Sequence, residues 1–191
     1  SMAFGAGSLA TGTGSIAHGV NSTATETNAV VFGTEAGAIA EDATAIGYSA
    51  VALGDDSTAI GKKANASKVN STALGAESKA TGDSSTALGD AASASNLRSI
   101  AVGASARSSA QSSTAIGSSA NASSLGALAI GTLSNAAAND AIAIGYQSNS
   151  QHQNSTAIGA SSATTRADQL MLGKASTEVT AANLANSSQA R

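Results

Sequence analysis

The segment Ser57-Thr58-Ala59-Ile60-Gly61 returns almost unchanged as Ser71-Thr72-Ala73-Leu74-Gly75. The glycine that ends this motif occurs thirteen times along the chain. A large apolar residue precedes twelve of these glycines, and alanine stands two positions before eleven of them. Self-similarity at a fixed period is typical of solenoids and other repeat architectures, so this motif decides the fold class. The motif glycine returns at an unbroken period of 14 at Gly5, Gly19, Gly33, Gly47, Gly61, Gly75, Gly89, Gly103, Gly117, Gly131, Gly145, Gly159 and Gly173.

The composition excludes several classes of protein. The 191 residues include 46 Ala, 32 Ser and 20 Gly, whereas Leu, Ile, Val and Phe together number 30. So few large side chains argue against an ordinary compact core. The net charge of −3 argues against a nucleic-acid partner, and no apolar run is long enough to span a membrane. Because cysteine is absent, disulfides and cysteine-based zinc sites are excluded.

The length of this period indicates a β-solenoid. Helical hairpin repeats are much longer, at about 33 residues or more, and one long helix is disfavoured by the glycine and the Asn, Asp or Ser cluster in each period. β-branched residues between turn signals favour strands. We predict an all-β rod of about thirteen 14-residue coils, roughly 60 Å long at about 4.8 Å per coil. The glycine is expected to end the first strand through a positive φ or a close backbone approach.

Equivalent positions of successive repeats form a column. The five columns from four residues before the motif glycine to the glycine itself, 65 positions in all, contain no charged residue. Both faces of the first strand therefore lack charge, although a surface strand normally carries charge on alternate residues. We interpret one face as the coil interior and the other as covered by further copies of the chain. This predicts a homo-oligomer of closed symmetry.

The sequence leaves open which face is which. We favour Ile and Leu inside the coil, packed against the small residues of the second strand, with an alanine column at the interface between chains. The reverse assignment is the alternative. The favoured interface column comprises Ala45, Ala59, Ala73, Ala87, Ala101, Ala115, Ala129, Ala143 and Ala157.

The stretch Asn154-Ser155-Thr156-Ala157-Ile158-Gly159, with Ser162 three residues later, resembles the head repeat of the trimeric autotransporter adhesins, the YadA-like heads. The family motif has Val where Thr156 stands. The resemblance covers residues 1–176, and residues 177–191 are expected to be a fading repeat or the start of a connector. It implies a left-handed parallel β-roll assembled as a homotrimer. From the residues themselves, neither enzymatic activity nor a cofactor is expected.

The resemblance also implies a location and a role. It implies display at the surface of a Gram-negative bacterium, held in the outer membrane by an anchor domain that the sequence lacks, and Ser1-Met2 is typical of a cloning remnant. It implies attachment to host cells or to matrix proteins such as collagen, fibronectin or laminin. A passive spacer within a fibrous surface protein is the alternative function.

Two other functions are weighed against adhesion. Thr44, Thr58, Thr72 and Thr86 form a row that would suit an ice-binding solenoid, but Ile, Val and Leu share their column, which favours a core position that tolerates Thr. For an enzyme, no Ser-His-Asp arrangement stands out. The acid pairs Glu41-Asp42 and Asp55-Asp56 are interpreted as solvated turn residues.

Four single residues remain as candidates. His18 occupies the apolar column before Gly19 and is interpreted as a core or interface substitution, with an anion or metal site on a trimer axis as the alternative. His152 is expected to lie on the surface of a turn. Tyr48 and Tyr146 each follow a motif glycine, and they are candidates for ligand contact because exposed aromatic residues often anchor partners.

Overall fold

The computed structural model describes residues 1–174 and 176. Within these residues the chain forms strands joined by turns, and no helix is present that is long and apolar enough to cross a membrane. The strands form two parallel sheets in which each strand pairs with the equivalent strands of the neighbouring coils. The predicted all-β solenoid is confirmed. The predicted connector over residues 177–191 lies outside the described residues.

The first sheet carries the motif that decides the fold. It has thirteen strands in sequential order, and the register aligns equivalent residues of successive coils, as in Thr72 with Thr86 and Leu74 with Leu88. Its strands are β1 (Met2–Phe4), β3 (Ile16–His18), β5 (Val30–Phe32), β7 (Thr44–Ile46), β9 (Thr58–Ile60), β11 (Thr72–Leu74), β13 (Thr86–Leu88), β15 (Ile100–Val102), β17 (Thr114–Ile116), β19 (Leu128–Ile130), β21 (Ile142–Ile144), β23 (Thr156–Ile158) and β24 (Leu170–Leu172).

The second sheet has eleven two-residue strands and is extended by a bridge between Asn149 and Ala163. Each of its strands begins four residues after a motif glycine, so the coils that build it contribute one strand to each sheet. Its strands are β2 (Leu9–Ala10), β4 (Thr23–Ala24), β6 (Gly37–Ala38), β8 (Val51–Ala52), β10 (Asn65–Ala66), β12 (Lys79–Ala80), β14 (Ser93–Ala94), β16 (Arg107–Ser108), β18 (Asn121–Ala122), β20 (Asn135–Ala136) and β22 (Asn149–Ser150).

The interior of the roll is built from small side chains. Ala and Ser predominate in the columns four and two residues before the motif glycine and three and five residues after it, and most of these residues have no exposed surface. The largest fully buried side chain among the described residues is Val31. The two sheets therefore lie too close together for Ile or Leu to fit between them, and the many Ala and Ser residues are the core.

Our preferred assignment of the two faces of the first strand is wrong. The predicted interface column, represented by Ala45 and Ala115, is completely buried within a single roll and has no surface to offer another chain. The residues that we placed inside, such as Ile46 and Ile116, are 37% and 38% exposed. The reverse assignment, which the sequence left open, is the one that the structure adopts.

Serine can replace alanine in this core because its hydroxyl reaches a nearby turn. Ser99 donates to the Asn96 carbonyl at 2.7 Å, and Ser134 donates to the Gly131 carbonyl at 2.8 Å, in both cases three residues earlier in the chain. A buried hydroxyl that finds such a partner avoids most of the cost of losing water. Ser and Ala are similar in size, and either residue can therefore occupy these buried positions.

The motif glycines combine a positive φ with a close backbone approach, and both expectations are confirmed. Gly89 has a φ of 131°, and a Cβ added to it would lie 2.7 Å from the carbonyl carbon and oxygen of Gly103 in the next coil. Gly117 has the same φ and the same contact with Gly131, at 2.6 Å. A side chain at these positions would separate the coils, which explains why the period of glycine is unbroken.

Each coil makes two turns, and each turn contains one residue in the left-handed α conformation, in addition to the motif glycine, whose φ is larger. These residues recur every seven positions, with φ of 52° to 60° at the non-glycine positions, as at Ser49 and Asp56. In the turn before the first sheet the position is mostly occupied by Asn, Asp or Gly, which tolerate this conformation best. The Asn and Asp clusters in the sequence thus mark one of the two turns in each coil.

The tight interior predicts that enlargement is costly. We expect Ala87→Leu to destabilise the roll by about 1–3 kcal/mol because the added methyl groups have no room between the sheets. Thr86→Leu is the matched control, since Thr86 points outward and Leu128 occupies the same column in another coil. Thermal unfolding followed by circular dichroism measures both variants. Equal unfolding midpoints for the two variants would contradict an interior limited to small side chains.

Candidate interaction surfaces

The outward side of the first sheet is a continuous apolar face. We define the apolar face as the columns one and three residues before the motif glycine, because these side chains alternate with the buried alanines. Phe4 is 57% exposed and Ile46 is 37% exposed, whereas others such as Ile60 are half-buried. The column next to the glycine comprises Phe4, His18, Phe32, Ile46, Ile60, Leu74, Leu88, Val102, Ile116, Ile130, Ile144, Ile158 and Leu172.

This face is long and carries no charged side chain. Contiguous apolar patches beyond a few hundred Å² mark sites of interaction with other molecules, and the apolar face follows the first sheet along its thirteen strands. None of its residues is an Asp, Glu, Lys or Arg. The described chain therefore presents one side that favours a partner over water.

The threonine row belongs to the apolar face, so our interpretation of its column as a core position is wrong. Thr44, Thr58, Thr72 and Thr86 lie in outward-facing positions of the first sheet and are half-buried. The column that they occupy continues with Ile100 and then mixes Thr with large aliphatic residues. The row is therefore one stretch of a mixed face.

His18 lies on the apolar face between two aromatic rings. Its ring centroid is 5.9 Å from that of Phe4 and 5.7 Å from that of Phe32. Phe4 and His18 border a shallow cavity of about 470 Å³ along the glycine column, which is also lined by Val20 and Thr34. His18 is thus an outward-facing residue of the face and not a residue of the roll interior.

Most charged side chains lie away from the apolar face, in the second sheet and the turns. The acid pairs stand in the turn before the first sheet and link neighbouring coils: Asn28 donates to the Asp42 carboxylate at 2.9 Å, and the Glu41 amide donates to the Asp55 carboxylate at 3.3 Å. Among the described residues, no group of three or more His, Asp or Glu side chains is placed to hold a metal ion.

His152 differs from its expected place on a turn surface. The imidazole is half-buried, and its Nδ1 lies 3.3 Å from the Thr164 hydroxyl. Ser155 donates to the same hydroxyl at 3.1 Å and is completely buried. These contacts tie the turn to the following coil, and the buried serine is not accessible to a substrate.

The two tyrosines are exposed and distant from each other. Tyr48 is 47% exposed and Tyr146 is 53% exposed. Both lie in the turn that leads from the first sheet to the second, seven coils apart. The structure does not bring them together into one patch.

One feature of the second sheet was not predicted from the sequence. Residues 108–165 contain a single charged side chain, Asp140, whereas residues 26–107 contain fifteen. In this neutral segment the second sheet carries an outward row of amides, Asn121, Asn135 and Asn149, joined by hydrogen bonds. Mapping the charges along the repeat would have found the segment.

Comparison with known proteins decides the family. The model of the YadA head domain repeat, which covers two copies of the repeat, matches residues 1–19, 10–36, 38–64, 52–78, 66–92, 80–106, 108–134 and 136–162. The chain belongs to this family. The YadA head repeats are parts of adhesins and are not an enzyme family, so adhesion is the function class that the family gives.

Among solved structures, the chain is similar to the crystal structure of the collagen-binding domain of the Yersinia adhesin YadA. The two share 28% sequence identity with a TM-score of 0.44, over 93% of this chain and 75% of the other. No curated protein matches the chain.

Proposed function

We propose that residues 1–176 form the head of a bacterial surface adhesin, which attaches the cell to host cells or to extracellular-matrix proteins. The observation that carries the proposal is the match of the YadA head repeat along most of the chain. A solenoid of stacked, equivalent coils also suits a display surface, because it builds one extended face from repeated positions. The proposal places the head outside the cell, with an anchor in the outer membrane supplied by another part of the protein.

The apolar face supports a homotrimer. Exposing thirteen outward positions without a charged side chain to water is unfavourable, whereas burying them at an interface between chains is favourable. Three rolls related by a three-fold axis would cover the face in all three copies at once, because closed symmetry uses the same surface of each subunit. The second sheet and the charged turns would then form the outside of the head.

In this arrangement the ligand meets the outer surface, which each trimer presents three times. Repeated weak contacts gain from multivalency, since each contact after the first is made at a high effective concentration. The strands of the second sheet repeat in register from coil to coil, so this sheet offers many equivalent positions for such contacts.

Attachment of coated beads tests the proposed function. We expect beads that carry the 191-residue chain to adhere to host epithelial cells or to surfaces coated with collagen, fibronectin or laminin, because a coated bead makes many weak contacts at once. Beads coated with an unrelated protein of similar net charge are the control. A properly folded head that adheres to none of these surfaces would favour the spacer function.

A further inference from the structure

The charges of the outer surface are distributed unevenly along the rod. Fifteen charged side chains lie between residues 26 and 107, and one lies in the neutral segment of residues 108–165. The repeat does not impose this difference, because the column that holds Lys79 and Arg107 in the second sheet holds Asn121 and Asn135 in the neutral segment. The outer surface of the neutral segment therefore has a chemistry of its own.

The amide row, defined as Asn121, Asn135 and Asn149, is held in a fixed orientation. Asn121 Nδ2 donates to Asn135 Oδ1 at 2.7 Å, and Asn135 Nδ2 donates to Asn149 Oδ1 at 3.0 Å. A carboxamide has two N–H donors and two acceptor lone pairs, so Asn135 keeps one donor and one lone pair after these bonds. The row thus offers preorganised donors and acceptors to a ligand, at the spacing of the coils.

Two exposed side chains stand in the turns that lead into the amide row, Leu133 two residues before Asn135 and Tyr146 three residues before Asn149. Leu133 is 47% exposed, and it is the one large apolar side chain among the 21 described non-glycine residues with positive φ. The fold does not require a leucine at this position, because Ser105 and Ser119 occupy the same turn position with the same backbone conformation in earlier coils. Leu133 and Asn135 both point outward, on either side of the buried Ser134. Tyr146 lies in the same turn of the next coil and is 53% exposed.

We propose that the amide row, Leu133 and Tyr146 form a binding site for an uncharged glycan. Amides pair with sugar hydroxyls as donor and as acceptor, and an aromatic or aliphatic side chain packs against the C–H face of a sugar ring. Arg107 is the register partner of Asn121 at one end of the amide row, but a ligand with acidic groups would find no Lys or Arg in the coils of Leu133, Asn135 and Tyr146. The amide row and Leu133 lie on the side of the roll that the proposed trimer leaves free, and Tyr146 stands at the turn, in the column of Val20 and Thr34. The inference rests on the proposed function and names a ligand class for it.

A glycan array tests the site with the 191-residue chain. The array presents neutral hexose and N-acetylhexosamine oligosaccharides beside sialylated and sulfated ones. We expect binding to neutral glycans. A high salt concentration should change the affinity by no more than about twofold, because no charge pair is screened. Binding confined to sialylated or sulfated glycans, or the absence of binding to any neutral glycan, would overturn the proposal.

Matched variants locate the binding. Leu133→Ser together with Tyr146→Ser should reduce neutral-glycan binding about tenfold or more, since exposed anchors contribute most of the affinity at such surfaces. Asn135→Ala, which interrupts the amide row, should reduce it as well. Tyr48→Ser and Asn65→Ala change the same columns in the charged part of the rod and should leave binding unchanged. Equal losses in both sets would overturn the assignment to the neutral segment.

The inference and the proposed function can fail separately. If the head adheres to cells or matrix proteins but binds no neutral glycan, the site is wrong and the adhesin function stands. If it binds neutral glycans through Leu133 and Tyr146 but adheres to no cell or matrix protein, the site stands and the proposed function is wrong.

Discussion

Gly89→Ala is expected to lower the midpoint of thermal unfolding by about 10 °C, the largest effect that we expect from a single added methyl group. The new Cβ would lie 2.7 Å from backbone atoms of Gly103, and the φ of 131° belongs to a region that residues with a side chain rarely adopt. Gly103 cannot move aside easily, because its amide donates to the Leu88 carbonyl at 2.7 Å. Backbone strain costs about 1–3 kcal/mol before the clash is added, and each kcal/mol lowers the midpoint by about 2–4 °C in a chain of this length.

Gly37→Ala is the matched control for this prediction. A Cβ at Gly37 would meet no atom within 4 Å, and its φ lies outside the strained region. The variant should be as stable as the original chain or slightly more so, because alanine loses less conformational freedom on folding. Circular dichroism during heating measures both variants. If Gly89→Ala unfolded at the same temperature as Gly37→Ala, the close stacking of the motif glycines would not hold the coils together.

The solenoid could be predicted from the sequence because its signal is periodic. The unbroken series of motif glycines fixes both the coil length and the register, since a strand that slipped by one residue would place a side chain against the next coil. The positive φ of glycines such as Gly61 also followed from the sequence, because glycine adopts it at no steric cost. These features are local, and each is repeated thirteen times.

The assignment of the two faces failed because alternation identifies faces without saying which is inside. Large aliphatic residues are usually buried, and that general rule favoured Ile116 over Ala115. The spacing between the sheets decides otherwise: four inward columns of Ala and Ser bring the backbones close together and leave no room for a branched side chain as large as Ile. Only the volume of the whole coil, and not the polarity of one strand, determines which face is inside.

The candidate surfaces were predictable to different degrees. The exposure of Tyr48 and Tyr146 followed from their position after the motif glycine. The exposure of Leu133 could not be predicted in this way, because leucine is usually buried. The amide row lies between these cases, since Asn121 and Asn135 are one period apart and a parallel register brings them together.

Ile116→Asp is expected to convert the proposed trimer into a monomer while leaving the roll folded. Light scattering of the original chain should give three times the 18.1 kDa of one chain. In a single roll the Ile116 side chain is 38% exposed, so a carboxylate there can reach water. In the trimer the same carboxylate would be covered and unpaired in all three chains, and leaving one buried charge without a partner costs about 3–5 kcal/mol.

Two further variants separate assembly from folding. Ala115→Asp places the carboxylate in the interior, where Ala115 has no exposed surface, so it should abolish the β-sheet signal in circular dichroism and not merely the trimer. Ser119→Glu adds a charge in an outer turn, in a column that already holds Glu35 and Glu77, and should preserve both the trimer and the fold. An original chain that is a stable monomer, or an Ile116→Asp variant that remains trimeric, would show that the apolar face is not the interface. The distinction matters for adhesion because the three-fold multiplication of the outer surface, and with it the avidity, depends on this face alone.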